Sequence, residues 1–221
     1  MLWQAILVGS KFYHLDPRAT YYDRYSSDKR MGLWTKPDTI PEAEVERLIL
    51  FLNQWNSHYD SSPTQRRQLL QAIRSAFPRI EALGKATLLT IDLSADSVRR
   101  DISLVFQAIA SCGSRYEATA ASKILHTIKP ELFVMWDNQI QGSYACDRSS
   151  DDYASRFLPR MQKLVLKALG EYTTAEDVTR NEAKRALTPC GHTLAKVIDE
   201  FNFAKFTLKT DEVWDAELNR C

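Results

Sequence analysis

Apolar side chains recur every three or four residues along most of the chain, which is the period of an amphipathic α-helix. Helices are predicted to start at Pro41, Ser62, Ser94 or Asp96, Arg115, Asp137, Tyr153, Thr173 and His192. A final acidic helix is predicted over residues 211–217. The run 88–93 fits either a short strand or a linker, and we favour a linker. The pattern therefore predicts an all-α protein.

Breaks in the helical pattern indicate how the chain is organised. We expect one all-α domain over residues 1–221, in which two helical halves, 41–113 and 114–205, lie around a cleft. Residues 1–40 start apolar and continue with tyrosines among arginines, and we expect an irregular arm there. That arm either packs through its tyrosines or stacks on splayed nucleic acid. Between Val98 and Ile128, a helix, a tight turn at Gly113 and a second helix outline a helix-hairpin-helix-like unit.

The stretch 115–144 carries the most specific pattern. An alanine-rich helix runs to Ile128, where Pro130 stops it, and the apolar run 132–136 is too short for a buried helix. Asp137 stands where a helix N-cap belongs. From Lys123 to Ile128 the helix climbs about 7 Å at roughly 1.5 Å per residue, and an extended run back retraces that climb. Lys123 and Asp137 are therefore predicted to face one cleft.

An amine and a carboxylate in one cleft have a recognisable chemistry. A lysine among apolar neighbours has a lowered pKa and becomes a nucleophile that forms a Schiff base with a sugar carbon. A carboxylate beside it stabilises the positive charge that develops when a glycosidic bond breaks. The alternative is structural: Lys123 is an exposed helix charge and Asp137 only a cap.

Charge gives a second, local indication. The 221 residues hold 29 basic and 28 acidic side chains, so a net charge of +1 provides no global attraction to nucleic acid or membrane. Four cations at helical spacing form a basic row: Arg156, Arg160, Lys163 and Lys167. Such a row suits a phosphate backbone, and it equally suits a solvated helix face.

Several classes of function find no support in the sequence. There is no glycine-rich phosphate loop, no nucleophile elbow and no His-Glu-x-x-His motif, and no residues have metal-ligand spacing. We expect neither a metal nor a cofactor. Four scattered cysteines, no signal peptide and no transmembrane segment favour free thiols in the cytoplasm, and a monomer is expected.

Two short segments, Ala120 to Leu125 and Phe133 to Ile140, resemble the core of the helix-hairpin-helix DNA glycosylase superfamily. In that family a helix carries a lysine, in the members that also cleave the strand, and a following segment delivers a catalytic aspartate at the mouth of a cleft. Lys123 matches the lysine and Asp137 the aspartate.

The resemblance implies an enzyme that binds double-stranded DNA, flips one nucleotide into a pocket and cuts its glycosidic bond, with or without a lyase step. It implies Lys123 and Asp137 as catalytic residues and the basic row as the DNA-backbone contact. Contacts to the flipped base are expected from Trp136, His126, Asn138 and Gln139, with Trp34, Trp55 or an arm tyrosine as further stacking partners. A damaged base or a modified base of phage DNA is the implied substrate, in repair or antiviral defence.

Two non-catalytic interpretations remain open at this point. In the first, the chain is a helical DNA-binding or regulatory module, in which the helix-hairpin-helix-like unit and the basic row bind DNA. In the second, it is a protein-interaction domain that needs neither DNA nor catalysis. Both make Lys123 and Asp137 structural.

Overall fold

The computed structural model describes residues 1–27, 40–55, 59–112 and 117–210, and all regular structure in these ranges is helical. The helices are α1 (Leu2–Leu15), α2 (Pro17–Ser27), α3 (Glu42–Gln54), α4 (Pro63–Ala82), α5 (Asp96–Ala110), α6 (Ala118–Ile128), α7 (Asn138–Ser143), the single turn α8 (Ser150–Asp152), α9 (Leu158–Glu176), α10 (Arg180–Leu187) and α11 (Leu194–Asn202). Two π-helical turns, Tyr153–Phe157 and Phe203–Thr207, precede α9 and follow α11. The all-α prediction is confirmed.

The prediction of an irregular N-terminal arm is wrong for residues 1–27. They form α1 and α2, and α1 packs lengthwise on α11 and on α9. Buried Leu2, Ala5 and Ile6 share one face of α1, and Asp16 accepts a hydrogen bond from the Arg18 backbone N–H at the start of α2. Tyr22 and Tyr25 enter the core instead of stacking on a ligand. Trp34 lies outside the described residues.

The middle of the chain follows the predicted pattern closely. Ser62 caps α4, its hydroxyl accepting a hydrogen bond from the Gln65 backbone N–H at 3.2 Å. The α5 helix begins after Ala95 and has no side-chain cap. The prediction that Ser94 or Asp96 caps this helix is therefore wrong. Residues 88–93 are a linker of turns, as favoured. The predicted hairpin turn at Gly113 lies outside the described residues.

The extended segment 132–136 crosses the core between α6 and α7, and all five of its residues are buried. Side chains from the surrounding helices satisfy its backbone: the Tyr153 hydroxyl donates to the Val134 carbonyl at 2.8 Å, and the Trp136 N–H donates to Ser122 Oγ at 3.2 Å. The Trp136 ring lies against Phe106, Tyr153 and Phe157, with centroids 5.0–5.9 Å apart. The predicted cap is confirmed, since Asp137 Oδ1 accepts from the N–H groups of two α7 residues.

One predicted helix start is wrong. Thr173 does not begin a helix, because α9 continues to Glu176 and the Thr173 hydroxyl donates back to the Gly170 carbonyl. Asp177 then adopts a left-handed conformation, φ 51°, which ends α9. A capping box is found instead at the start of α10, where the side chains of Thr179 and Glu182 each accept a hydrogen bond from the other's backbone N–H.

The main cluster of buried apolar side chains extends from Leu2 in α1 to Ala204 after α11, and Tyr13, Ala19 and Phe203 form a second, smaller cluster. The division into halves at 113, the cleft between them and the helix-hairpin-helix-like unit stay predictions. Within the described ranges, none of the helices is both long enough and apolar enough to cross a lipid bilayer.

The contact between α1 and α11 allows a stability test. A Cβ on Gly9 would lie 2.8 Å from the Phe201 Cα atom, which is backbone and cannot move aside, whereas a Cβ on Gly170 in α9 would meet no atom within 4 Å. We expect Gly9→Ala to lower the free energy of unfolding by about 1–3 kcal/mol through overpacking. The matched Gly170→Ala is expected to raise it by about 0.5–1 kcal/mol through helix propensity. Urea unfolding of both variants checks this, and equal effects would contradict the α1–α11 packing.

Candidate functional site

A small pocket opens where α2, the end of α3, α6, α7 and α11 meet. Its volume is about 160 Å³. The lining residues are Arg18, Trp55, Thr119, Lys123, Met135, Trp136, Asp137, Asn138, Ile140, Asp199 and Phe203. The pocket thus combines five apolar or aromatic residues with two cations and two carboxylates, which is the composition expected of a ligand site.

Lys123 reaches this pocket from the middle of α6, one turn after Thr119. Every residue of this helix from Ala120 to Ile128 is buried, so Lys123 has no route to bulk solvent along its own helix. Its Nζ donates to the Trp55 carbonyl at 3.3 Å and lies 5.4 Å from the centre of the Trp55 ring. Burial lowers the Lys123 pKa to about 8, although the nearby charge of Asp137 opposes the shift. About a tenth of the amines is therefore unprotonated at pH 7.

Asp137 stands on the pocket wall with both carboxylate oxygens oriented. Oδ1 accepts the N–H groups of Gln139 and Ile140 at 2.8 and 2.9 Å, and Oδ2 accepts the Thr207 hydroxyl at 2.6 Å. The structure therefore places Lys123 and Asp137 at one pocket, as the lengths of the helix and of the extended segment predicted. The exposed-charge alternative for Lys123 is wrong, because its residue exposure is only 5%.

Asp199 of α11 brings a second carboxylate to the pocket. It is buried, and Lys196 Nζ donates to Asp199 Oδ2 at 2.7 Å. Burial outweighs the attraction of Lys196 and raises the Asp199 pKa to about 6. Asp199 consequently exchanges its proton closer to neutral pH than an ordinary aspartate does.

Aromatic side chains and an arginine form the remaining wall. Trp55 and Phe203 meet edge to face with ring centroids 5.9 Å apart. The Arg18 guanidinium lies 4.6 Å from the Phe203 ring centre and makes two 2.8 Å bonds to Asp16. Arg18 is thereby held in place at the pocket edge, where its charge faces any anionic group that enters.

The residues expected to contact a flipped base are only partly in position. Asn138 lines the pocket, whereas Gln139 is exposed and is not among the lining residues. Trp136 contributes to the lining, but its residue exposure is 1% and its ring is packed in the aromatic core. The expectation that its ring stacks on a base is therefore corrected.

His126 also needs a correction. It is fully buried away from the pocket lining, with Nδ1 2.6 Å from the Phe133 carbonyl oxygen and Nε2 2.9 Å from the Tyr22 hydroxyl. Burial lowers the His126 pKa to about 3, so the ring is neutral at physiological pH. His126 braces the extended segment and does not contact the pocket.

The four side chains of the basic row are all exposed. Three of them have neighbours of their own: Arg156 pairs with Asp152 at 2.8 Å, Lys167 with Glu171 at 3.8 Å, and Arg160 lies 5.3 Å from the Tyr144 ring centre. Surface pairs of this kind are weak and exchange readily for a phosphate. The DNA-backbone role of the row stays a prediction.

A second polar cluster lies behind the pocket. His14 of α1, His192 before α11 and Glu200 of α11 each place one ligating atom within 4.8 Å of the others. The side chain of Glu200 is fully buried, and His192 Nδ1 lies 2.6 Å from its Oε1. The neighbouring Ser10 hydroxyl donates to Glu200 Oε2 at 2.5 Å. We refer to these four residues and Asp23 as the histidine–carboxylate cluster.

Sequence reasoning missed Arg18, Asp199 and Phe203 at the pocket, and it missed the histidine–carboxylate cluster. The sequence did offer an indication on α11, where Lys196, Asp199 and Glu200 interrupt an otherwise apolar helix. Charged residues are almost never fully buried unless they are paired. Three charges on a core helix therefore indicate a buried polar site.

Compared with protein-family models, with curated proteins and with solved structures, the chain gives no match. The fold and the site thus define the class by themselves: an all-α protein with a small pocket that holds a buried lysine and two carboxylates.

Burial of Lys123 gives a prediction about stability and pH. Because its folded pKa is lowered to about 8 from 10.5, the unfolded chain binds more protons between these pH values, and the free energy of unfolding rises with pH there. In Lys123→Met this rise is absent. We expect the difference between wild type and variant to change by about 3 kcal/mol from pH 7.5 to 10.5, following 1.36 kcal/mol per pKa unit.

Urea unfolding across this pH range measures the difference, which cancels the titration of the other groups. Lys163→Met, which removes an exposed lysine from α9, is the matched control. A pH dependence of the Lys123→Met difference no larger than that of the control would show that the amine is hydrated in the folded protein.

Proposed function

We propose that the protein is a DNA glycosylase that excises a damaged or modified base and uses Lys123 as its nucleophile. The observation that carries the proposal is the buried Lys123 amine, with a pKa of about 8, in the same pocket as the oriented carboxylate of Asp137. The resemblance of the segments 120–125 and 133–140 to the helix-hairpin-helix glycosylases points to the same two residues.

The proposed reaction starts with the unprotonated amine. The Nζ lone pair attacks C1′ of the nucleotide, the C1′–N bond breaks, and its electron pair leaves with the base, which takes up a proton. Asp137 stabilises the positive charge on the sugar, and its three hydrogen bonds keep the carboxylate aimed without reorganisation. Nζ then loses one proton, the C1′–O4′ bond opens, and O4′ takes up a proton to become a hydroxyl, which gives a protonated Schiff base between Lys123 and the sugar.

Asp199 is the other proton-exchanging group of the pocket. With a pKa of about 6, it matches the pH at which a general acid or base works best. In the proposed reaction it is a candidate to take the proton that Lys123 releases. Its link to Lys196 keeps it oriented from the side away from the substrate.

The size and walls of the pocket support action on a single flipped nucleotide. A volume of about 160 Å³ admits one small ring system and excludes a base pair, so a duplex must release the base before it enters. Trp55 and Phe203 offer aromatic surfaces at this pocket, in place of the Trp136 ring. Arg18 is suited to the phosphate of the extruded nucleotide.

A borohydride trap tests the chemistry. Purified protein is incubated with undamaged, oxidised, deaminated and phage-modified DNA in the presence of borohydride, and both covalent adducts and abasic sites are counted. We expect an adduct with at least one DNA, and none with Lys123→Gln. Asp137→Asn is expected to slow base release by about 100–1,000-fold while it keeps the fold, because asparagine is as good an N-cap as aspartate.

The matched control is Lys163→Gln, which removes an exposed lysine and should leave the adduct unchanged. Abasic sites without an adduct would assign base release to water activated at the site and would shift the chemistry to Asp137. Absence of both signals on every DNA would refute the glycosylase and leave the non-catalytic binding module in its place.

The basic row makes a separate prediction about DNA binding. Arg160→Ala and Lys163→Ala should each weaken duplex binding for every sequence and reduce the slope of log K against log salt by about 1. Fluorescence anisotropy at several salt concentrations measures the slopes. Arg74→Ala, an exposed arginine on α4, controls for the loss of any positive charge. Equal slopes for all three variants would show that the row is only a solvated helix face.

A further inference from the structure

The histidine–carboxylate cluster is built by elements that are distant in sequence. Two imidazole rings, His14 and His192, stack at 5.3 Å between the carboxylates of Asp23 and Glu200. His14 Nε2 is 4.0 Å from Glu200 Oε2, and His192 Nδ1 is 2.6 Å from Glu200 Oε1. Within the described residues, His14 Nε2 is a buried nitrogen to which no hydrogen-bond partner is assigned.

We propose that His14, His192 and Glu200 form a binding site for a divalent transition-metal ion, with Zn²⁺ as the best match. Two imidazoles and one carboxylate are a frequent ligand set for zinc and for other first-row metals. Imidazole binds as the neutral ring, and both rings here present nitrogen edges toward the same carboxylate.

The separations of the ligating atoms fit such an ion after small side-chain adjustments. Metal–ligand distances of about 2.0–2.2 Å in a tetrahedral site place neighbouring ligand atoms about 3.4 Å apart. The separation of His192 Nδ1 from Glu200 Oε1 is 2.6 Å and that of His14 Nε2 from Glu200 Oε2 is 4.0 Å, so the two values lie on either side of about 3.4 Å. An ion at this position therefore requires His192 to move about 0.8 Å away from Glu200 and His14 to move about 0.6 Å toward it.

Outer partners of the kind that support metal ligands are already in place. Asp23 Oδ1 lies 3.1 Å from His192 Nε2, and Asp23 Oδ2 lies 4.0 Å from His14 Nδ1, so one carboxylate faces the far nitrogen of both rings. The Ser10 hydroxyl orients Glu200 at 2.5 Å. A carboxylate behind a ligating histidine fixes the ring orientation and raises the basicity of the ligand.

The local charge balance also favours a divalent cation. When both histidines are neutral, as metal binding requires, Asp23 and Glu200 contribute two negative charges to the cluster, while the nearby Lys196 pairs with Asp199 at 2.7 Å. Two negative charges are left in a region where the side chains of Glu200 and Lys196 are fully buried. An ion of charge +2 neutralises them at the position of highest burial.

The ion would join α1 to α11 and, through Asp23, to α2. None of the proposed ligands lines the pocket, so the metal would lie outside it. The inference therefore concerns the stability of this junction and is independent of the proposed glycosylase chemistry. If the glycosylase proposal fails, the metal-site proposal still stands, and if the metal site fails, the glycosylase proposal still stands.

Metal content and metal-dependent stability test the site in the full chain. The protein is stripped with a chelator, dialysed, and titrated with Zn²⁺ or Co²⁺, while bound metal is measured by mass spectrometry and unfolding by thermal denaturation. We expect one equivalent of metal and a rise in Tm of about 5–10 °C at a free Zn²⁺ concentration 100 times the Kd. Asp23→Asn should weaken binding by about 10–100-fold.

His14→Ala and the bulkier His14→Gln should both abolish the stoichiometric site. His14 is partly exposed, so both variants are expected to fold. Lys11→Ala, an exposed residue one turn earlier on α1, is the matched control and should keep one equivalent. Wild-type binding that survives in both His14 variants would overturn the proposal, as would a wild type that takes up no metal. A sulfur-to-cobalt charge-transfer band would also overturn it, because it would place the metal on a cysteine thiolate, which the proposed ligand set does not contain.

Discussion

The geometry of the pocket depends on one constraint, the burial of the extended segment 132–136, which pairs with no strand in the described part of the chain. Its polar backbone groups must be satisfied where water is excluded, and side chains of α6 and the turn before α9 supply the partners. His126, Ser122 and Tyr153 each hold one point of the segment. Because the segment is fixed at these points, Asp137 emerges at a defined position opposite Lys123.

The second constraint is electrostatic and lies on α11. Lys196 is fully buried, and its ammonium contacts Asp199, the Tyr13 ring at 3.9 Å and the Tyr22 ring at 4.4 Å. The same helix carries Asp199 into the pocket and Glu200 into the histidine–carboxylate cluster. Charges of this kind remain buried when they are paired, and Lys196, 2.7 Å from Asp199 and 4.0 Å from Glu200, is the charged group that lies between the two sites.

A pocket with a buried amine and two carboxylates is costly to build, and such groups concentrate at functional sites. Burial lowers the pKa of Lys123 and raises that of Asp199, which brings both groups toward neutral pH from opposite sides. This convergence favours a catalytic interpretation over a purely structural one.

The sequence by itself determined the local features. Helical periodicity, Ser62 as a cap, Pro130 as a stop and Asp137 as the cap of α7 depend on interactions within a few residues, and they appear in the structure as predicted. Local signals also misled: Thr173 resembles a helix start, yet its hydroxyl is satisfied inside α9. Only the tertiary structure decided that α1 and α2 join the core, that His126 lies outside the pocket lining and the Trp136 ring is packed in the aromatic core, and that Arg18, Asp199 and Phe203 line the pocket. These outcomes depend on contacts between residues far apart in the chain, which no local pattern encodes.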